Sequence, residues 1–122
     1  MSADHLFVYG TLRRGSNNKF ARLLSELGTF VVDACVPGRL YDFGAYPGAV
    51  PSDQPDHWIH GEIHRLEDPS LLASLDEYEG VEYERAKVSA TLDDGQVIEC
   101  WIYWYVGGSK GSLIESGDWL QR

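Results

Sequence analysis

Apolar and polar positions repeat with two different periods along the chain, and each period predicts a different kind of element. Residues 6–9 form a short apolar run, which predicts a buried first strand that leads into a glycine-bounded loop over residues 10–15. Apolar positions then recur every three or four residues over 20–27, after Asn17 or Asn18 as a candidate N-cap. This spacing predicts a helix with one face toward the core.

Most of the remaining chain has the composition of strands. Five segments rich in β-branched and aromatic residues are predicted as strands: residues 29–36, 39–43, 58–66, 83–92 and 97–106. The turn signals between them are Pro-Gly at 37–38, a turn-prone segment at 44–48 and Asp-Asp-Gly at 93–95. Residues 107–112 are rich in glycine and serine and predict a flexible link to a short tail.

The order of elements decides the predicted fold class. A second helix is predicted to start at Asp68-Pro69, which supply an N-cap and a first-turn proline, and to end at Gly80. Too many strands follow one another for a doubly wound sheet, so we predict an α+β fold, a small mixed or antiparallel β-barrel flanked by two or more helices. The 122 residues predict a single domain, 1–122, without internal repeats.

Charge narrows the classes of partner. The net charge of −9 at pH 7 gives a surface that repels phosphate groups, so we expect no nucleic acid and no anionic membrane among the partners. The oligomeric state stays open.

Compartment and redox chemistry follow from what else the composition offers. We find no apolar run of the ~20 residues needed for a membrane span and no signal peptide at the start, so we expect a cytoplasmic protein. Cys35 and Cys100 lie far apart in strand-like segments, which favours buried thiols over a disulfide, a zinc site or a nucleophile.

Glu79 is the candidate catalytic residue that the spacing of the second helix indicates. Steps of three and four residues place Leu72, Leu75 and Glu79 on one face. Asp76 and Glu77 are expected to point away from that face, toward water. A carboxylate on an apolar face is partly desolvated, which raises its pKa and makes it a proton acceptor near neutral pH. The alternative is that Glu79 lies on a frayed last turn and reaches solvent.

The loop after the first strand, residues 9–15, is the second candidate site. Main-chain N–H groups that leave a buried strand at Gly10 can converge on an anion or a developing oxyanion, and Arg13 and Arg14 would add positive charge. A nucleotide-binding phosphate loop is unlikely on this pattern, because Ser16 follows the second glycine where the lysine is required. The alternative is an ordinary strand-to-helix turn with two solvated arginines.

His60, Glu62 and His64 alternate along a predicted strand and therefore share one face. Three such side chains could bind zinc or iron. Strand neighbours two positions apart are spaced too widely for a tetrahedral ion, however, and a half-solvated strand face explains the same alternation. We therefore do not expect a metal site on this strand.

The aromatic run at residues 101–105 predicts a wall that packs the core on one face and lines a pocket on the other. Tyr103 and Tyr105 share the face of Trp101, so one phenol could hydrogen-bond a ligand. The alternative is that all three rings only fill the core.

Five motifs occur in order along nearly the whole chain. They are Phe-Val-Tyr-Gly-Thr-Leu-Arg-Arg-Gly at 7–15, Gly-Glu at 61–62, Leu-Asp-Glu-Tyr-Glu-Gly at 75–80, Tyr-Glu-Arg at 83–85 and Gly-Asp-Trp at 117–119. Together they resemble the γ-glutamylcyclotransferase-like family, specifically its γ-glutamylamine cyclotransferase/AIG2-like branch. The resemblance implies a small β-barrel flanked by helices, in which the Tyr-Gly-Thr-Leu backbone cradles the substrate.

The resemblance also implies roles for single residues. Glu79 matches the glutamate that acts as the general base, and Asn18 matches an asparagine common after the binding loop. The substrate-binding residues that it implies are Tyr9, Gly10, Thr11, Leu12, Arg85 and Tyr103.

The implied reaction is an intramolecular attack of the substrate's α-amine on its γ-carbonyl, which releases 5-oxoproline and an amine without a metal or organic cofactor. The amine portion is expected to contact residues 41–47 and 107–119, and the sequence does not identify it. Two alternatives stay open: a non-catalytic module that binds an amino-acid-like or carboxylate ligand, and removal of a γ-glutamyl protecting group from a biosynthetic intermediate.

Overall fold

The computed structural model describes residues 4–16, 18–52, 57–68 and 70–122. Among these residues the elements are, in chain order, β1 (Asp4–Val8), α1 (Lys19–Leu27), β2 (Gly28–Asp42), β3 (Pro47–Pro51), β4 (Trp58–Leu66), α2 (Ser70–Glu79), β5 (Tyr83–Thr91), β6 (Val97–Tyr105) and β7 (Ser112–Leu113). Short 3₁₀ turns cover Gly80–Glu82 and Trp119–Gln121. Asn17 as a cap and Pro69 as a first-turn residue lie outside the described residues.

Five strands close into a barrel in the order β2-β4-β1-β6-β5, and β5 pairs back to β2 at Thr91 and Cys35. β1 lies between β4, to which it is antiparallel, and β6, to which it is parallel. The barrel is therefore mixed, and with its two helices it confirms the predicted α+β class. Its closure leaves few unpaired strand edges.

β2 differs from the prediction of two strands interrupted at 37–38. It is one strand of 15 residues, and its partner changes where the interruption was expected. Pro37 lies opposite Trp58 as the last pair with β4, and Gly38 opens the pairing with β3. Proline removes one hydrogen-bond donor, which is tolerated where a strand passes from one neighbour to the next.

The two helices cover one end of the barrel. Asn18 caps α1 as predicted, because its side chain accepts a hydrogen bond of 2.8 Å from the N–H of Ala21. The buried face of α2 consists of Leu71, Leu72 and Leu75, which pack in one apolar cluster with β1 and β6. The end of α2 and the end of β1 therefore lie beside the same cluster. This packing positions the candidate site.

The predicted hairpin of β5 and β6 is confirmed, with its turn at residues 92–96. The tail after β6 is more tightly held than a flexible link would be. Ile114 donates its N–H to the carbonyl of Leu40 at 2.8 Å, and Trp119 is buried in the main core. Across the described ranges, no helix has the length and apolar character that a bilayer crossing requires.

Candidate active site

A cavity of about 360 Å³ opens between the end of β1, the end of α2 and the segment before β3. Its lining residues are Phe7, Val8, Tyr9, Gly10, Thr11, Leu12, Ala45, Tyr46, Pro47, Tyr78, Glu79, Glu82, Tyr83 and Tyr103. The volume is in the range of small-molecule sites. Glu79 and the loop from Tyr9 to Leu12 were predicted separately from the sequence, and the fold brings them to one cavity.

Glu79 is the last residue of α2 and is half-buried at the cavity wall. Burial raises the pKa of its carboxyl group from 4.5 to about 7. Neither a hydrogen bond nor an ion pair to Glu79 occurs within the described ranges. The carboxyl group is therefore poised to exchange a proton with a ligand near neutral pH.

Asp76 does not simply face water as the helix spacing suggested. Its carboxylate accepts two hydrogen bonds from Arg85, at 2.8 and 3.0 Å, and one of 2.7 Å from the Tyr103 hydroxyl. The hydrogen bonds from Arg85 hold the pKa of Asp76 below its usual range; burial opposes this effect, and the bond from Tyr103 adds to it. Asp76 is thus a charged partner of a cavity residue, while Glu77 is exposed as predicted.

The loop from Tyr9 to Leu12, named the Gly10 loop, lies close to the start of β3. A side chain at Gly10 would overlap the ring of Pro47, so only glycine leaves both segments in place. Asn18 anchors the loop, because its amide donates a hydrogen bond of 2.6 Å to the carbonyl of Thr11. The N–H groups of residues 10–12 have no partner in the loop and side-chain hydrogen bonds of the described chain. They are donors available to a ligand in the cavity.

Arg13 and Arg14 do not supply positive charge to this cavity. Arg13 is only 8% exposed and donates a hydrogen bond of 2.7 Å to Asp118. The Arg14 main-chain N–H donates to the Glu62 carboxylate at 2.9 Å, and its guanidinium lies 3.7 Å from Asp33. The alternative of two solvated arginines is wrong for Arg13, because ion pairs across the barrel bury it.

Five tyrosines line the cavity, and the hydroxyls of three of them, Tyr9, Tyr83 and Tyr103, are hydrogen-bonded to the protein. Tyr9 donates to the carbonyl of Tyr103 at 2.7 Å and accepts from the N–H of Ala49 at 3.2 Å. Tyr83 donates to the carbonyl of Pro47 at 2.7 Å, and Tyr103 donates to Asp76 as described above. Burial raises the pKa of all three phenols, and the nearby Glu79 charge adds to this effect. The tyrosines therefore stay protonated at neutral pH.

Arg85 is the predicted substrate-binding residue that the structure does not bring to the cavity wall. Its guanidinium lies behind Tyr103, bonded to Asp76, and 4.4 Å from the centre of the Trp101 ring. The other predicted binding residues, Tyr9 through Leu12 and Tyr103, do line the cavity. Tyr105 was an alternative to Tyr103, but its hydroxyl donates to Glu82 at 3.3 Å and it is not among the lining residues.

Sequence reasoning named residues 41–47 only as a segment and missed Tyr78, Glu82 and Tyr83 as residues of the cavity wall. A signal existed for Tyr83, which belongs to the Tyr-Glu-Arg motif, and for residues 45–47, which lie in a segment expected to contact the leaving amine. The other segment expected there, 107–119, contributes no lining residue. Glu82 lies in the 3₁₀ turn that follows α2, and no local sequence pattern predicted this turn.

The side chains at 60, 62 and 64 do not form the half-solvated strand face that was the alternative to a metal site. Glu62 and His64 are 3% and 2% exposed, and the His64 Nε2 lies 3.0 Å from the Glu62 Oε1. Burial opposes ionisation of Glu62, but bonds from His64 and Arg14 and the charge of Arg13 leave its pKa lowered. Among the residues with described positions, no three metal-binding side chains come together.

Cys100 is buried, as predicted for both thiols, but Cys35 is only half-buried. The Cys35 sulfur lies 3.2 Å from the His60 Nδ1 in a second cleft, which Arg13, Arg14 and Gly15 of the loop also line. Both cysteines are free thiols in the structure.

Comparisons with known proteins agree with this geometry. The family model described as gamma-glutamyl cyclotransferase, AIG2-like, matches residues 6–121. A Vibrio cholerae protein with a provisional gamma-glutamylcyclotransferase name is 42% identical over 98% of both chains. The Escherichia coli K12 gamma-glutamylcyclotransferase family protein YtfP is 39% identical over 96% of both chains.

Solved structures show the same fold. YkqA from Bacillus subtilis superimposes with a TM-score of 0.77 at 29% identity, over 98% of this chain and 40% of that one. A mouse AIG2-like protein gives a TM-score of 0.76 at 24% identity, over 89% of this chain and 81% of its own. The nearly complete match to the family model and the full-length relatives decide the assignment: the chain belongs to the gamma-glutamyl cyclotransferase, AIG2-like family.

Proposed function

We propose that this protein is a γ-glutamyl cyclotransferase that releases 5-oxoproline and an amine from a small γ-glutamyl compound. Family membership and the names of the relatives support the reaction class. The observation that carries the proposal is Glu79, a half-buried carboxyl group without a charged partner among the described residues, in the same cavity as the free N–H groups of the Gly10 loop. We propose Glu79 as the general base.

The reaction needs little from the protein except proton transfer and orientation. Glu79 takes a proton from the substrate's α-ammonium group, whose reference pKa is ~8. The freed nitrogen lone pair attacks the γ-carbonyl carbon, and a five-membered ring closes while the bond to the leaving nitrogen breaks. Glu79 returns this proton to the leaving nitrogen and then carries the second proton of the α-nitrogen to it in the same way. Overall, the two protons lost by the α-nitrogen leave on the released ammonium ion, so no other reactant is required.

The Gly10 loop supplies the donors for the negative charges of the substrate. Its N–H groups at residues 10–12 can bind the α-carboxylate, the oxyanion that forms at the γ-carbon, or both. Gly10 lets the loop lie against Pro47, and the Asn18 amide holds the loop by its hydrogen bond to the Thr11 carbonyl. A loop fixed in this way stabilises the transition state without rearranging.

The charge of the cavity wall bears on the leaving group. Two carboxyl groups, Glu79 and Glu82, line the cavity, and the lining set contains no lysine, arginine or histidine. A leaving group with its own carboxylate would meet like charge there. Amines without a carboxylate are therefore the favoured leaving groups in this proposal.

The test is 5-oxoproline release by the wild type and by Glu79→Gln, which keeps the size of the side chain and removes its basicity. The substrates are a panel of γ-glutamyl amines, amides and dipeptides. Loss of one general base lowers the rate by a factor of roughly 10² to 10⁴. Glu77→Gln, an exposed neighbour on the same helix, is the matched control and should retain wild-type rates. Equal rates for the wild type and Glu79→Gln would refute the assignment of the base.

A further inference from the structure

Two of the five cavity tyrosines, Tyr83 and Tyr103, have hydroxyl groups that can act only as hydrogen-bond acceptors toward a ligand. A phenol has one proton to donate. The proton of Tyr83 is committed to the carbonyl of Pro47 and that of Tyr103 to Asp76, both at 2.7 Å. The oxygens of both residues therefore present lone pairs to the cavity that they line. Tyr9 differs, because its oxygen already accepts from Ala49.

The proton of Tyr103 is fixed by an unusually complete arrangement. Asp76 is a carboxylate, held in its charged form by two hydrogen bonds from Arg85, so it can only accept from Tyr103. The second group near the hydroxyl, the carbonyl of Leu72 at 3.4 Å, is also an acceptor. Arg85 is itself held over the Trp101 ring. No alternative partner within this group would turn the Tyr103 proton toward the cavity.

The cavity thus has two chemically different sides. The Gly10 loop offers hydrogen-bond donors, whereas Tyr83, Tyr103 and Glu79 offer acceptors. The α-carbon of an amino acid carries both a carboxylate and an ammonium group, and the ammonium has three protons to donate. A pair of neutral acceptors can hold two of these protons while the third passes to a base. The lone pair that this third proton leaves on the nitrogen is not taken up by the tyrosines and stays free to attack the γ-carbonyl carbon.

We propose that Tyr83 and Tyr103 bind the α-amino group of the γ-glutamyl substrate as hydrogen-bond acceptors, and that Asp76 and Arg85 are positioning residues that keep Tyr103 an acceptor. This inference rests on the proposed function for the identity of the substrate. It assigns Arg85 a place behind the site, not in contact with the ligand. It also gives the two tyrosines a task that a phenol acting as a donor could not perform.

The experiment compares two probes that differ only in the amino group: γ-L-glutamyl methylamide and its deamino analogue, N-methylglutaramate. Dissociation constants are measured by calorimetry at pH 7 in the Glu79→Gln protein, in which the proposed base is absent. We expect Tyr83→Phe and Tyr103→Phe each to raise the dissociation constant of the amino probe roughly tenfold or more, because each substitution removes a hydrogen-bond acceptor of the charged ammonium group. The deamino probe should change less than twofold.

The positioning role of Asp76 has its own signature. Asp76→Ala frees the Tyr103 proton and should weaken the amino probe several-fold, whereas Asp76→Asn keeps an acceptor oxygen and should restore most of the affinity. Glu77→Ala is the control and should bind both probes normally. The deamino probe reports any general damage to the fold in every variant.

Three results would overturn the inference: equal weakening of both probes in the phenylalanine variants, no weakening of either, or no preference for the amino probe in the parent protein. A failure of the proposed function looks different, because it appears as unchanged 5-oxoproline release in the Glu79→Gln comparison. Binding selectivity for the amino group could survive that failure, since it does not depend on turnover.

Discussion

Glu79 owes its reactivity and a loss of stability to the same physical cause. Burial without an ion pair among the described residues raises its pKa to about 7, which suits a proton acceptor. The same burial penalises the charged carboxylate, so the folded protein is less stable whenever Glu79 is ionised. An ion pair would remove this penalty and would also lower the pKa below the useful range.

The pH dependence of stability follows from this pKa. Between pH 4.5 and 7 the unfolded chain releases the Glu79 proton and the folded chain keeps it, so the free energy of unfolding falls as pH rises and stays reduced above pH 7. We therefore expect Glu79→Gln to be more stable than the wild type at pH 8, by up to about 3 kcal/mol. The gain should vanish at pH 4, and urea denaturation at both pH values measures it.

Glu77→Gln serves as the control for this comparison, because Glu77 is exposed and lies two positions before Glu79 on the same helix. Its difference from the wild type should be the same at pH 4 and pH 8. A Glu79→Gln protein that gains nothing between these pH values would mean that the carboxylate is solvated in the folded state.

The residues that the sequence could predict are those marked by local spacing or by a motif. Glu79 lies on the leucine face of α2, and the Gly10 loop follows an apolar strand, so both were accessible to local reasoning. The hydrogen-bond partners of Asp76 could not be predicted in this way, because Asp76 is on α2 whereas Arg85 and Tyr103 are on β5 and β6. Helix periodicity says which way a side chain points but not what the neighbouring strands place there.

The loop that follows β1 packs against β3, a strand that local sequence patterns did not predict. Residues 44–48 were predicted as a turn, and β3 begins within them at Pro47 because β2 offers it a pairing edge. The same long pairing explains why β2 continues through residues 37–38. Strand continuity is decided by hydrogen-bond partners distant in sequence, which is why these boundaries could not be predicted from composition.

Gly10→Ala tests the contact between the Gly10 loop and Pro47 at the start of β3. The added methyl group overlaps Pro47, whose ring cannot rotate away, so one of the two segments must shift. We expect the melting temperature to fall by several degrees and kcat/KM for 5-oxoproline release to fall at least tenfold. Gly108→Ala is the matched control, because Gly108 has open space around its α-carbon and should give wild-type values. A fully active Gly10→Ala protein would show that the loop tolerates displacement.

Closure of the barrel brings together charged groups that are far apart in the chain. An ion-pair network lies on the side of the loop opposite the cavity. It consists of Arg13 in the loop, Glu62 on β4 and Asp118 near the C-terminal end of the chain. Three separate motifs of the resemblance, at 7–15, 61–62 and 117–119, contribute one residue each. Their proximity could not be predicted from the sequence, because it depends on strand pairings between residues that are far apart in the chain.

Glu62→Gln tests whether this buried network supports the fold. Glu62 is 3% exposed and contacts His64, Arg13 and Arg14, so the substitution leaves two cations short of a buried counter-charge. We expect a loss of roughly 2 to 3 kcal/mol in the free energy of unfolding at pH 7. Because the folded-state pKa of Glu62 is lowered, its contribution is present above the ordinary carboxyl pKa and is lost as pH falls through the folded-state value.

The deficit of Glu62→Gln relative to the wild type should therefore shrink between pH 7 and pH 3 in urea denaturation experiments. This direction is opposite to that expected for Glu79→Gln, so the two buried glutamates can be separated by the sign of their pH dependence. Glu67→Gln provides the control, because its ion pair with Arg65 has both side chains more than half exposed and should change stability by less than about 0.5 kcal/mol. A Glu62→Gln protein as stable as this control would mean that the apolar core alone holds the loop against β4.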